Sequence, residues 1–211
     1  MRRHPWLVIA AIGSLGGCAV TMPVRTVPAG ETRLALSAGE PLASHLISGL
    51  VPYVTVGAIH GITDATTVGA DLHASPAAVG VFGADISAAH RLVAERGHSP
   101  ELTAAGQVAF FVGSGVARLF PSLLLTSSWS AGPRTLLYGS LTLTGQFTAA
   151  PVALLSPSVG ISHQVTHRLG VELEWRWFGA NVDTHSGLFE GAASLAGHGA
   201  MSVNGGIAWR W

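Results

Sequence analysis

Along most of the chain apolar residues recur at every second position, not every 3.6, and a two-residue period is the mark of strands. In 169–178, Leu169, Val171, Leu173, Trp175 and Trp177 fall on one face, and Glu172, Glu174 and Arg176 on the other. In 200–211, Met201, Val203, Ile207, Trp209 and Trp211 share a face with Gly205, opposite Ser202, Asn204, Ala208 and Arg210. In 135–147, Leu137, Leu141, Leu143 and Phe147 alternate with Tyr138, Ser140, Thr142, Thr144 and Gln146. Segments 67–74 and 79–90 repeat the pattern, with Asp71 and Asp85 on their polar faces. Weaker strands are expected at 31–38, 51–62, 102–113, 117–129 and 151–165, giving ten candidates.

The connections between these segments are unequal. Short ones are expected at 63–66, 130–134 and 166–168, and long ones at 40–50 and 181–199. Short turns on one side and long loops on the other are the habit of outer-membrane barrels. If the first strand runs outward, the alternation places 181–199 outside and both termini on the periplasmic side. Parity predicts that Ser162 pairs near Glu172 and Ile161 near Leu173, because a one-residue slip mixes the two faces. Pro121 and Pro157 disagree with this scheme, since proline cannot donate to a ladder and is normally confined to edges, strand starts or bulges. Starting their strands near 122 and 158 turns 151–155 into an apolar loop and leaves room for eight strands instead of ten.

Composition turns this pattern toward the membrane. Charged residues are 10% of the chain, against about 25% in ordinary soluble domains. Lysine is absent. After the first 18 residues no apolar run is long enough for a transmembrane helix, and only helices and closed barrels satisfy the backbone within lipid. The expected fold is therefore all-β, an antiparallel up-and-down transmembrane barrel with its apolar faces outward. Arg33, Asp71, Asp85, Glu172, Glu174, Arg176 and Arg210 then face the lumen as a polar network. Trp129, Trp175, Trp177, Trp209 and Trp211 fall near the two ends of the outer surface, at the heights of aromatic girdles.

The N-terminus carries a separate signal. Arg2, Arg3 and His4 precede a ten-residue apolar run at 6–15, as in a secretory signal. The run ends in Leu15, Gly16, Gly17 and Cys18, which resembles the lipobox of bacterial lipoproteins. That resemblance implies cleavage before Cys18 and a lipid on its thiol, and Ala19 in place of Asp implies export to the outer membrane. Residues 1–17 are then a signal peptide, 18–30 a lipidated tether and 31–211 the barrel domain. The last strand resembles the terminal strand of outer-membrane proteins, which ends on an aromatic residue and is recognised by the barrel-assembly machinery. The implied partners are membrane lipid and the lipoprotein-processing and barrel-assembly machineries. With no basic cluster in the sequence, nucleic acid is not an expected partner.

No residue pattern announces chemistry. The ten histidines are scattered without metal-ligand spacing. Ser186 and His185 share a loop, and Gly113, Ser114 and Gly115 are consecutive, but neither has the context of a nucleophile elbow. No catalytic residue, metal or cofactor is expected. The leading expectation is a barrel with a structural or passive narrow-pore role. One alternative is a periplasm-facing, lipid-tethered, lipocalin-like barrel with an apolar interior, which buries Val171, Leu173 and Trp175 and leaves Glu172, Glu174 and Arg176 in water. Another is an outer-membrane lipid-modifying enzyme.

Overall fold

The computed structural model describes residues 22–41, 53–77, 80–113, 115–147, 151–183 and 194–210. Cys18, Trp211 and the pair His185 and Ser186 lie outside the described residues. Ten strands follow in chain order: β1 (Thr32–Pro41), β2 (Tyr53–Thr63), β3 (Thr66–His73), β4 (Phe82–Val93), β5 (Glu101–Gly113), β6 (Val116–Ser130), β7 (Thr135–Gln146), β8 (Val152–Gln164), β9 (Leu169–Asp183) and β10 (His198–Arg210). A helical turn, α1 (Ala74–Ala77), links β3 to β4 and was not expected from the alternation. Each strand pairs antiparallel with its sequence neighbours, and β1 pairs with β10, so the sheet is a closed barrel. The ten strands fix the count that the prolines had left open. Ser162 pairs with Glu172 and Ile161 with Leu173.

Pro121 and Pro157 lie within β6 and β8, and 152–155 belongs to β8 and not to a loop. Each proline sits where a ladder ends. Pro121 is opposite Val108 of β5, but the β6–β7 ladder begins one residue later, at Ser122. Pro157 is opposite Leu141 of β7, but the β8–β9 ladder begins at Ser158. Beyond Pro157 side chains replace ladder bonds. Leu155 N–H donates to Asn181 Oδ1 at 2.8 Å, Asn181 Nδ2 donates to the Ala153 carbonyl at 2.8 Å, and Gly179 N–H donates to Ser156 Oγ at 3.1 Å.

An even strand number puts the start of β1 and the end of β10 at one end of the barrel, here the terminal end. The connections there span 64–65, 94–100, 131–134 and 165–168, while the far end carries 42–52, 74–81, 114–115, 147–151 and 184–197. The length asymmetry is thus real but not uniform, because 94–100 is long for the terminal end and 114–115 short for the far end.

The faces sort by parity. Leu34, Val56, Leu72, Ile86, Leu123 and Leu173 point outward and are exposed, while Thr55, Thr67, Thr103, Thr126, Ser128 and Ser202 point inward and are buried. On β9, Val171, Leu173 and Trp175 are 38%, 54% and 37% exposed, against 2% for Glu174 and 7% for Arg176. The lipocalin-like alternative required the reverse and is overturned: the two-residue period is the same for both, and only the direction of closure separates them.

Residues 22–30, expected to be a free tether, are packed into the terminal mouth. Met22 joins a buried cluster with the inward-facing Ala89, Ala105 and Leu124. Val27 is fully buried, and its N–H donates to Thr67 Oγ1 at 2.7 Å. Gly61 makes room for this segment, since a Cβ there would run into the Pro28 carbonyl.

Candidate functional site

The interior of the barrel has three levels. Toward the far end it is filled with apolar side chains: Val81, Ala109, Phe111 and Phe120 form one cluster, and Leu154, Phe178 and Ala200 another, with Val152 and Val182 against it. The middle is polar. The terminal half holds a cavity of about 480 Å³, bounded on one side by 22–28 and reaching Asp71 and Glu172.

The seven residues expected in the lumen divide into separate groups. Asp71 of β3 is opposite Asp85 of β4. Asp85 meets His73 Nε2 at 2.9 Å, and the imidazole packs on the Phe111 ring at a centroid distance of 4.9 Å. All three polar side chains are buried. Across the lumen, the Glu174 carboxylate is saturated. Its Oε1 accepts from Arg176 Nε at 2.9 Å and from Asn204 Nδ2 at 3.3 Å, and its Oε2 accepts from Ser158 Oγ at 3.1 Å. Arg176 Nη2 also lies 2.8 Å from Glu174. Glu172 faces Tyr138, whose ring lies across Gly160; a Cβ at 160 would collide with it.

Arg33 and Arg210 sit apart from these groups, at the terminal mouth. They are direct partners across the β1–β10 seam, where like charges destabilise a pair. Glu31 resolves the conflict by accepting from both, from Arg33 Nε at 2.6 Å and from Arg210 Nη2. A second ionic group holds the N-terminal segment. Arg25 donates to Ser128 Oγ at 2.7 Å and to Glu95 Oε2 at 2.7 Å, and Glu101 lies 3.8 Å away. The Ser130 amide and hydroxyl, followed by Arg25, hold the Glu95 carboxyl down to about 2 from an ordinary 4.5.

Sequence reasoning put His73, Tyr138 and Asn204 on polar faces without counting them in the lumen network, and it did not single out Ser158 or Glu101, although strand parity puts both inside. It also missed Arg25 and Glu31, which precede the first strand and carry no parity. Of the tryptophans, Trp129 and Trp209 lie on the outer face near the terminal end, and Trp175 and Trp177 farther along β9. Trp177 Nε1 donates to the His198 carbonyl at 2.8 Å. Among the described residues no group of three His, Cys, Asp or Glu is arranged to hold a metal ion.

No protein-family model matches the chain, and no curated protein matches its sequence. Solved structures do. An outer membrane channel from Pseudomonas putida F1 superposes with a TM-score of 0.52 at 10% identity, over 91% of this chain and all of that one. The NanC porin gives 0.49 at 10% identity, over 84% of this chain and 100% of that one. The translocator domain of the autotransporter NalP from Neisseria meningitidis gives 0.44 at 10% identity, over 98% of this chain and 94% of that one. The fold is that of an outer-membrane β-barrel.

Removing one partner of a buried ion pair strands the other, at a cost of about 3–5 kcal/mol. Glu174→Gln, and more so Arg176→Met, should lower the unfolding free energy of the barrel in vesicles by that order, read from its urea transition. The double change Glu174→Leu with Arg176→Met should cost much less than the sum of the single changes. Glu95 titrates lower folded than unfolded, so its contribution is present above pH 4.5 and is lost as the pH falls from 4.5 toward 2. The protection of amides in 22–30 relative to their intrinsic exchange rate at each pH should fall across that window, and Glu95→Gln should show the lowered protection already at pH 7.

Proposed function

We propose that this chain is a barrel of the bacterial outer membrane, held both by a lipid on Cys18 and by its own apolar outer wall, with both termini periplasmic. The observation that carries the reading is the inversion of the faces. Large apolar side chains cover the outside while Glu174, Arg176, Asp71 and Asp85 are buried within. In water such a surface is an aggregation hazard, because soluble monomers rarely expose apolar patches above a few hundred Å²; in lipid it is the required outer wall. Trp129 and Trp209 near one end and Trp175 and Trp177 toward the other fit two interfacial girdles.

The role we assign is structural, with the lumen shut at rest. Barrels of 8–10 strands have little room beyond their own side chains, and here Phe111, Phe120 and Phe178 occupy the far half while 22–28 fills part of the terminal mouth. The cavity of about 480 Å³ and the likeness to an outer membrane channel favour a narrow passive pore as the second reading. The loop residues considered for a lipid-modifying enzyme, His185 and Ser186, lie outside the described residues.

Extraction and conductance test this together. A chain given an ordinary cleavable signal and Cys18→Ser is expected to stay in the membrane pellet after carbonate or urea washing and to shift mobility on heating before SDS electrophoresis. In planar bilayers it is expected to give no steady conductance above the bare membrane. Steady openings would move the assignment to the pore, and recovery of the chain from the soluble periplasm would end the membrane reading.

A further inference from the structure

On the outer face near the terminal end, one arrangement occurs three times. Thr32 Oγ1 and His60 Nδ1 are 2.9 Å apart across β1–β2, Thr66 Oγ1 and His90 Nδ1 are 3.0 Å apart across β3–β4, and Thr135 Oγ1 and His163 Nδ1 are 2.9 Å apart across β7–β8. Each pair is in direct cross-strand register. Each belongs to the outward parity set: Ile59, Ala89 and Ser162 are the inward neighbours of the three histidines, with Ile59 and Ser162 lining the cavity and Ala89 in the buried Met22 cluster. His90 and His163 are exposed and His60 half-buried.

The chemistry of the pair is directional. A threonine hydroxyl that donates to Nδ1 leaves the proton of a neutral imidazole on Nε2, and no printed bond among the described residues uses Nε2 of these rings. In that tautomer each pair holds an N–H donor on a ring already fixed by its neighbour, so little further entropy is lost when an acceptor binds. Trp129 stands opposite Leu137, two residues along β7 from Thr135, and Trp209 stands opposite Leu34, two residues along β1 from Thr32, so two of the pairs lie close to the height of the aromatic girdle. An outward donor at that height meets the phosphate level of the lipid leaflet.

We propose that the three Thr–His pairs form a collar that docks the phosphate groups of phospholipid headgroups in the leaflet at the terminal end. This rests on the membrane reading above. The histidines anchor the barrel's height by donating Nε2–H to lipid phosphate oxygens, and the threonines act as positioning residues by fixing the ring.

The test is lipid retention, with Cys18→Ser throughout. The barrel is reconstituted with phosphatidylglycerol and phosphatidylethanolamine, extracted in mild detergent, and its bound phospholipid counted by native mass spectrometry. The triple variant His60→Phe, His90→Phe, His163→Phe should retain at least threefold less phospholipid. The triple His→Gln variant, which keeps an N–H donor, should recover most of it, and Thr32→Val, Thr66→Val, Thr135→Val should lose part. Inorganic phosphate added at millimolar concentration should not displace the lipid. Unchanged retention in a heat-modifiable His→Phe barrel overturns the collar, as does equal loss in the His→Gln barrel. If the His→Phe barrel does not fold, the threonine series decides, and unchanged retention there overturns the proposal. Failure of the unsubstituted chain to enter membranes is a separate result, and it removes the membrane reading itself.

Discussion

The pairing of β1 with β10 is the constraint on which the rest depends. A ten-stranded sheet left open has two rows of unpaired amides and carbonyls, and in a hydrocarbon surround each such group costs several kcal/mol. Closure removes both rows, but it sets Arg33 against Arg210 across the seam. The chain answers with Glu31, placed just before the first strand and bonded to both. Closure also decides which of the two alternating faces becomes the interior, and therefore which residues must be small, paired or hydroxylated.

Given that direction, the interior follows from a few physical demands. Buried carboxylates need partners, and Glu174 has four donated or ionic contacts from Arg176, Asn204 and Ser158. Aromatic rings need space, and Gly160 gives it to Tyr138. The lumen is narrow enough that clusters around Phe111, Phe120 and Phe178 fill one half, while a segment of chain outside the sheet fills part of the mouth of the other. The barrel is in this sense a wall with a stopper, held at its mouth by Arg25 bridging Glu95, Ser128 and Glu101.

Much of this was legible in the sequence because the side-chain period in a strand is two and errors of one residue are visible. The ten candidate strands, the register of Ser162 with Glu172, and the sorting of Val171, Leu173 and Trp175 from Glu174 and Arg176 all come from that parity, although the prolines left the count open between ten and eight. What parity cannot give was missed. Met22, Arg25 and Val27 lie outside any strand, and a segment rich in Pro, Thr and Gly reads as a tether unless its docking surface is known. The two prolines were read as interruptions because sequence does not say which flank of a strand has lost its partner. The separation of the expected lumen network into groups depends on where strands sit around the circumference, which pattern along one strand does not encode.

The central claim is that lipid covers the outer face. A nitroxide attached to a single cysteine at position 173, in a Cys18→Ser background and reconstituted in vesicles, measures this through its collisions with oxygen and with a water-soluble nickel chelate. The account predicts that oxygen, which partitions into hydrocarbon, dominates the relaxation at this site and that the nickel chelate has almost no effect. Dominant relaxation by the chelate in a folded barrel would place Leu173 in water and contradict the account.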